Sequence, residues 1–592
     1  MPSESIVPPW AAIPEVSMPE LAIPELAIPE AATPKVSMPE VLVPEAPLDN
    51  TPIRGRFSHA RRKSEPDRHP ARLDGRLAIW NLVPETLAAK LLIALLVLGA
   101  LGWAYAWATA SPVGSSPDEN FHLASIWCPH GLGFRCPTRL DPGTDRIEVE
   151  VPIRITQAAH CYRFDLRISA GCTETIPAGS EWTHTLNRGE YPDHYFNLMH
   201  YVVQASYAGD LFPAVVSVRM LNAIIAIILF GGVAYFLPPS GRRLFGLSFL
   251  PVSFPMLWSL VVSVNPSGWS IIGLCVAFFA MYAANRGQTR FRILAPVILA
   301  LIGGWMAIAS RTDAAAFLAA VAIVIVVMDW QEFRARPLLF ACPAILLAMS
   351  IYPFASAVFG GYLAWLITSG AEAQPVLAIT RQLVASEEGL PPLPLLVSNI
   401  MELPQYLLGF AIGDLNWRDT PVPPLAWAPV LAATTGLVFF GLRRTNLRKT
   451  LCFLGLLAVY AGVPLLFFQL TGNLVGHFIQ ERYVAPLVPI LMAVALWRPE
   501  RGGAPRLAMP QILPLYLGLV IAQAAILWVQ IRRFTTGLYT PRFFLSPTLN
   551  TDVEWWQGAL SPFTTWFIGA LGFALVALLL FCLGTRATSR NR

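Results

Sequence analysis

Charged residues are scarce in this chain: they occupy 13% of its 592 positions, whereas 55% of the positions are apolar. A soluble core cannot absorb that much apolar surface, so much of it must face lipid. The formal net charge of +5 is small for this length and argues against a nucleic-acid partner. The composition, with a mean hydropathy of +0.53, therefore predicts a membrane protein.

The sequence also lacks an apolar run near its N-terminus. Its first long apolar segment begins near Ala88, too deep for a cleavable signal peptide, so we expect a retained anchor and a cytoplasmic N-terminus. Proline recurs every fifth residue over 13–47, which predicts an extended, disordered tail. A basic stretch follows and marks the cytoplasmic side. We divide the chain into a cytoplasmic tail, residues 1–87, and a membrane domain, residues 88–592.

Twelve apolar segments of about 17–25 residues predict an all-α protein that crosses the membrane about twelve times. Every even-numbered segment ends beside at least two Arg or Lys residues, which the positive-inside rule places in the cytoplasm. Arg532 and Arg533 are exceptions on the outer side. Segments 195–208 and 392–411 are apolar but interrupted, and we interpret them as interfacial or re-entrant helices. The predicted spans are 88–109, 214–237, 244–264, 268–285, 293–309, 314–330, 337–357, 425–442, 450–469, 483–497, 510–531 and 563–584.

Four of the eight cysteines lie in one predicted extracytoplasmic loop, residues 110–213. An even set of cysteines in an oxidising compartment favours two disulfides, with three possible pairings. Four free thiols or a zinc site are the alternatives, although the loop lacks a CxxC pair. The four residues are Cys128, Cys136, Cys161 and Cys172.

Ionisable residues are nearly absent from the centres of the predicted spans, which argues against an ion-coupled transporter. They gather instead at the outer ends, most densely just after the first span. There Asp118 and His122 are four residues apart and share one helical face. Asp118 and Glu119 could supply a general base or a metal-binding carboxylate. The alternative is a helix cap that interacts with the helix dipole.

Other polar residues fall at predicted outer helix ends, where each alone has a simple explanation as a turn, a cap or an interfacial anchor. Arg311 and Arg482 are notable because outer ends should be poor in arginine. A guanidinium group matches phosphate oxygens, so we interpret this pair as a lipid-phosphate site. The candidate substrate contacts are His122, Tyr191, Asp193, Asn265, Asp313 and Trp417.

The order of these motifs resembles the bacterial membrane proteins of the DUF2142 family, from about Trp103 to the C-terminus. The sequence departs from that pattern at Asp193, Thr312 and Glu481. The motifs that carry the resemblance are Pro117-Asp118-Glu119 with His122, Tyr191-Pro192, Arg219-Met220-Leu221-Asn222, Ser263-Val264-Asn265-Pro266, Ser310-Arg311-Thr312-Asp313, residues 414–420, and Gln480-Glu481-Arg482-Tyr483 with Pro486.

That family looks like the GT-C glycosyltransferases, which carry an acidic residue in the first outer loop and use polyprenyl-phosphate sugars. The resemblance implies a GT-C-like fold with Asp118 as the base and Glu119 as its neighbour or a metal ligand. It leaves a divalent metal as the one cofactor to consider, with no site assigned.

The sequence therefore predicts a glycosyltransferase of the bacterial plasma membrane with both termini in the cytoplasm. It would move a sugar from a polyprenyl-phosphate donor to an envelope glycan acceptor on the outer face. Membrane lipids, this donor and this acceptor are the expected partners. Two alternatives stay open: a transporter or flippase of a lipid-linked glycan, and a non-catalytic envelope-assembly protein.

Overall fold

The computed structural model describes residues 87–130, 136–352 except 142, 144, 145 and 190, and then 392–476, 480–499, 502–539 and 560–581. The predicted tail, residues 1–87, lies outside the described residues except for Leu87. The described part is mainly helical, so the all-α class is confirmed. Ten of its helices are long and apolar enough to cross a membrane.

The helices are numbered here in chain order. They are α1 Leu87–Thr109, α2 Glu119–Trp127, α3 Ile153–Gln157, α4 Asp193–Ser206, α5 Leu211–Phe236, α6 Pro239–Phe249, α7 Trp258–Val261, α8 Ser267–Ala284, α9 Arg290–Ser310, α10 Ala314–Met328, α11 Trp330–Ala335, α12 Pro337–Tyr352, α13 Pro392–Ile412, α14 Pro424–Leu442, α15 Leu447–Thr471, α16 Val488–Leu496, α17 Met509–Thr535 and α18 Pro562–Phe581.

Nine of the twelve predicted spans coincide with long apolar helices, and three correspond to shorter ones. The shorter helices are Ala314–Met328, Pro337–Tyr352 and Ala485–Leu496. Segment 392–411, predicted as an interfacial or re-entrant helix, is one apolar helix of spanning length, Leu393–Ile412. Its polar residues find partners: Asn399 bonds the backbone of Asn473 and Val475, at 3.1 and 2.9 Å.

Helix α8 lies at the centre of the bundle and is buried over its whole length. It packs most closely on α9, where Gly273 and Gly303 face each other. A Cβ on Gly303 would lie 2.6 Å from the carbonyl oxygen of Gly273, so only glycine permits this approach. Small residues that bring two backbones together are the usual basis of helix packing in lipid.

Several arginines at the predicted cytoplasmic helix ends take part in contacts between helices. At the predicted cytoplasmic end, Arg286 pairs with Asp329 at 2.6 Å, and Arg336 donates to the carbonyl of Gly287 at 2.7 Å. The Tyr282 hydroxyl accepts from the backbone of Gly503 at 2.7 Å. These contacts join the ends of α8, α10, α12 and the loop before α17.

Arg533, which broke the positive-inside pattern, has partners in two loops. Its side chain is fully buried and pairs at 3.1 Å with Asp419, in the loop between α13 and α14. It also donates to the carbonyl oxygens of Tyr162 and Ile168, at 2.6 and 2.8 Å. The arginine therefore ties the end of α17 to the outer loop and has no need of the cytoplasm to satisfy its charge.

The loop after α1 folds as a small cap with a three-stranded antiparallel sheet. Its strands are β1 Thr138–Leu140, β2 Ile147–Pro152 and β3 Ser180–Thr183, with β2 in the centre. Two disulfides close it: Cys128 is joined to Cys136, and Cys161 to Cys172. Of the three possible pairings, the structure contains the one that links neighbours in sequence.

A buried ion pair fastens the start of this loop to the membrane helices. Arg219 of α5 and Glu119 of α2 are both fully buried, and Nη2 lies 3.0 Å from Oε1. The Glu119 carboxylate also accepts from the backbone N–H of Ser116 at 2.8 Å. The remaining acceptors of Arg219 are the carbonyl oxygens of Ala108, Ser111 and Pro112 and the hydroxyl of Ser115.

Replacing Arg219 by Met should destabilise the protein by about 3–5 kcal/mol, because it leaves the Glu119 carboxylate buried and unpaired. Thermal unfolding of the purified protein in detergent measures this loss. The double variant with Glu119→Gln should recover part of it. Arg139→Met, which removes an exposed ion pair, should cost about 0–1 kcal/mol. Equal losses of stability in Arg219→Met and Arg139→Met would contradict the role of the Arg219–Glu119 ion pair.

The disulfide pairing predicts two linked peptides in protein from native membranes. Non-reducing peptide mass spectrometry should find Cys128 linked to Cys136 and Cys161 linked to Cys172. A crossed pairing, or four free thiols, would show that the loop is folded differently.

The alternation of arginines along the sequence predicts that exposed residues on the two sides of the membrane will be labelled from opposite sides. Cysteines placed at Leu140 and Arg418 should react with an impermeant maleimide added to intact cells. Cysteines at Arg290 and Arg444 should react only after the membrane is permeabilised. All four positions are exposed in the structure. The predicted orientation would be refuted if Leu140 or Arg418 labelled from the same side of the membrane as Arg290 or Arg444.

Candidate functional site

Asp118 and Arg482, 364 residues apart in the chain, meet at the end of the bundle that carries the loop after α1. Asp118 Oδ2 lies 2.6 Å from Arg482 Nη2, with the carboxylate side chain 41% exposed and the guanidinium 6% exposed. Asp118 precedes α2 with a left-handed backbone, at φ 58° and ψ 22°. A non-glycine residue in this conformation carries strain that often marks a functional position.

Arg311, at the end of α9, lies beside this ion pair. It makes a bidentate pair with Asp313, with both distances 2.8 Å, and donates to Ser267 Oγ at 3.2 Å. Its guanidinium carbon lies 4.2 Å from the centre of the Tyr483 ring, and that of Arg482 lies 5.1 Å from it. One aromatic ring thus contacts both arginines that the sequence predicts as a phosphate site.

His122 is buried behind these charges. Its ring packs on Tyr191 and Phe196 at centroid distances of 5.6 and 5.9 Å. Burial, with the positive charges of Arg482 and Arg311, lowers the pKa of His122 to about 3. The imidazole is therefore neutral at physiological pH, and its Nδ1 has no hydrogen-bond partner in the described part of the chain.

Asn265 connects the backbone before Asp118 to Ser267, whose side chain contacts Arg311. Its side-chain amide donates to the carbonyl oxygen of Pro117 at 3.1 Å and accepts from the backbone of Ser267 at 2.9 Å. Pro117 precedes Asp118, and Ser267 contacts Arg311. The amide therefore positions the backbone on which both charged groups depend.

Two other predicted substrate contacts make structural contacts with the loop after α1: Asp193 at its end, and Trp417 from the loop between α13 and α14. Asp193 lies 3.4 Å from the imidazole of His130 and accepts from the side chain of Asn187 at 3.1 Å. Trp417 donates its indole N–H to the carbonyl oxygen of Gly114 at 2.8 Å. Tyr191 and Asp313, in contrast, contact the charged cluster itself.

A small pocket of about 30 Å³ has Arg482, but not Asp118, in its wall. Ser116, Pro117, Asn416 and Gln530 also line it. These two amides exchange hydrogen bonds of 3.0 and 3.1 Å. Their pairing leaves the pocket with a polar, ordered wall.

Arg219, Gln530 and Glu481 were not among the predicted site residues, although the first fixes the site and the other two line the pocket. Each carried a signal in the sequence. Arg219 and Gln530 are polar residues inside predicted spans, and Glu481 lies within a quoted motif. What no pattern showed is which neighbours they would meet.

The carboxylates of Asp118 and Glu119 do not fit a shared metal site. Glu119 is bound by Arg219 and by the backbone of Ser116, while Asp118 faces Arg482. Over the described ranges, no three His, Cys, Asp or Glu residues are grouped so that they could hold a metal ion. Glu119 is accordingly a structural residue in this geometry.

Comparison with known proteins gives one match. The family model DUF2142, described as a predicted membrane protein, covers residues 101–491. The start agrees with the predicted resemblance, but the match ends before α17 and does not continue to the C-terminus. No curated protein and no solved structure matches the chain. Since the match extends over well over half of the sequence, this multi-pass membrane protein belongs to the DUF2142 family.

Proposed function

We propose that this protein is a glycosyltransferase that moves a sugar from a polyprenyl-phosphate donor to an envelope glycan acceptor. The site would face the outer side of the bacterial plasma membrane, and both chain termini would lie in the cytoplasm. The observation that carries the proposal is the contact of Asp118 with Arg482, which also lines a pocket, with Arg311 beside it.

Asp118 is suited to act as the general base. Its carboxylate is partly exposed, whereas its neighbour Glu119 is buried and fully engaged. In the proposed reaction Asp118 takes the proton of an acceptor hydroxyl as that oxygen forms a bond to the anomeric carbon. The bond between the anomeric carbon and the phosphate oxygen breaks, and polyprenyl phosphate leaves.

Arg482 and Arg311 are suited to stabilise the charge that develops on the leaving phosphate. Each already has a carboxylate partner, so a phosphate must replace or share these partners to bind. Replacement at Arg482 would also free the Asp118 carboxylate for the acceptor hydroxyl. Donor binding would therefore prepare the base, which avoids an exposed, uncompensated charge in the empty site.

Replacing Asp118 by Asn should lower the transfer rate by about 10²–10⁴-fold, because the amide cannot accept the proton. The measurement is sugar transfer from a polyprenyl-phosphate donor by purified protein in vesicles. A helix-capping role predicts near-normal transfer instead, since Asn caps a helix as well as Asp does.

The matched control is Asp165→Asn, which changes an exposed aspartate of the same outer loop that pairs with Arg167. It should transfer sugar at the wild-type rate. Folding is checked by thermal unfolding and by gel filtration. If a folded Asp118→Asn protein keeps its turnover within threefold of wild type, Asp118 is not the base.

A further inference from the structure

Glu481 lies beside the ion pair of Asp118 and Arg482 and lines two pockets. The residue is 7% exposed, and within the described ranges its side chain makes neither a hydrogen bond nor an ion pair. A carboxylate that faces a pocket without a protein partner can accept hydrogen bonds from a ligand.

Helix α13 is shaped to receive this side chain. A Cβ on Gly409 would overlap the Glu481 side chain, and a Cβ on Gly413 would lie 2.7 Å from its Oε1. Glu481 and Arg482 are adjacent in one 3₁₀ turn, yet Arg482 turns to Asp118 and Glu481 turns to α13. The turn therefore presents a cation to one part of the site and an anion to another.

Glu481 also joins two pockets. The pocket that Arg482 lines, about 30 Å³, and a second of about 200 Å³ share Asp414, Arg418 and Glu481 in their walls. The second pocket adds Glu402, so three carboxylates face one guanidinium. Arg418 already donates to the carbonyl oxygen of Gly476 at 3.1 Å. A ligand in this pocket meets a net negative field, which favours donors and cations over anions.

We propose that Glu481 binds a saccharide unit through hydroxyl or ammonium groups and excludes saccharides that carry a negative charge. The inference rests on the proposed function and adds to it the charge class of the sugar. A carboxylate accepts hydrogen bonds from two neighbouring hydroxyls and attracts an ammonium group. A carboxylate on the sugar would face a like charge in a confined space, which is how a site rejects a wrong ligand.

The test measures binding of three sugars with the same ring to the full-length protein in nanodiscs at neutral pH. The probes are glucosamine, methyl glucoside and glucuronate, which are cationic, neutral and anionic. In wild-type protein the dissociation constant should rise in that order, by on the order of tenfold from first to last. Saturation-transfer NMR and calorimetry detect binding of this weak kind.

Glu481→Gln should reduce the difference between glucosamine and glucuronate to less than about threefold, because it removes the charge and keeps the size. Glu174→Gln, an exposed change outside both pockets, should keep the wild-type order. Three results would overturn the proposal: no saturable binding of any probe to wild type, glucuronate binding as tightly as glucosamine, or an unchanged order in folded Glu481→Gln.

A water-soluble polyprenyl-phosphate analogue distinguishes the source of the sugar. Competition with glucosamine assigns the pocket to the donor, and simultaneous binding assigns it to the acceptor. The proposed transferase function and the proposed role of Glu481 can be refuted independently of each other. Charge selection without any transfer activity would contradict the proposed function alone. Normal transfer by a Glu481→Gln protein with an unchanged binding order would contradict the role of Glu481 alone.

Discussion

The buried ion pair between Arg219 and Glu119 is the interaction on which the site depends. It lies where water cannot satisfy either charge, so each partner requires the other and the acceptors around them. Through Glu119 it fixes the first turn of α2, and Asp118 stands immediately before that turn. The partly exposed carboxylate of Asp118 is therefore positioned both by the buried Arg219–Glu119 pair and by its own contact with Arg482.

Around this anchor, the site is assembled from segments far apart in the chain. The loop after α1 brings Asp118, α9 ends at Arg311, and the turn before α16 brings Arg482. The long loop after α1 is held against α17 by Arg533, which donates to the carbonyl oxygens of Tyr162 and Ile168. A cap and a bundle, joined by buried charge pairs, leave a polar pocket between helix ends. A small shift of any one helix would change the distances between the charged groups of the site.

Much of the fold could be predicted from the sequence, because the length of an apolar run reports directly on whether a helix can span the membrane. The helix 392–411 was set apart from the predicted spans because polar residues such as Asn399 interrupt the apolar run, and their partners lie in distant segments. Asp118, Arg311 and Arg482 were predicted individually as outer charges. Their contacts, the structural role of Glu119 and the burial of Glu481 depend on three-dimensional neighbours that one sequence does not reveal.

The proposed function requires that this site transfer a sugar from a lipid phosphate. The most direct measurement uses purified protein in sealed vesicles with a donor labelled in its sugar, in the presence and absence of an envelope glycan fraction. If the protein is a transferase, the label leaves the lipid and appears on the glycan, and polyprenyl phosphate is released in equal amount. Label that stays on its lipid carrier, or only changes leaflet, would contradict it.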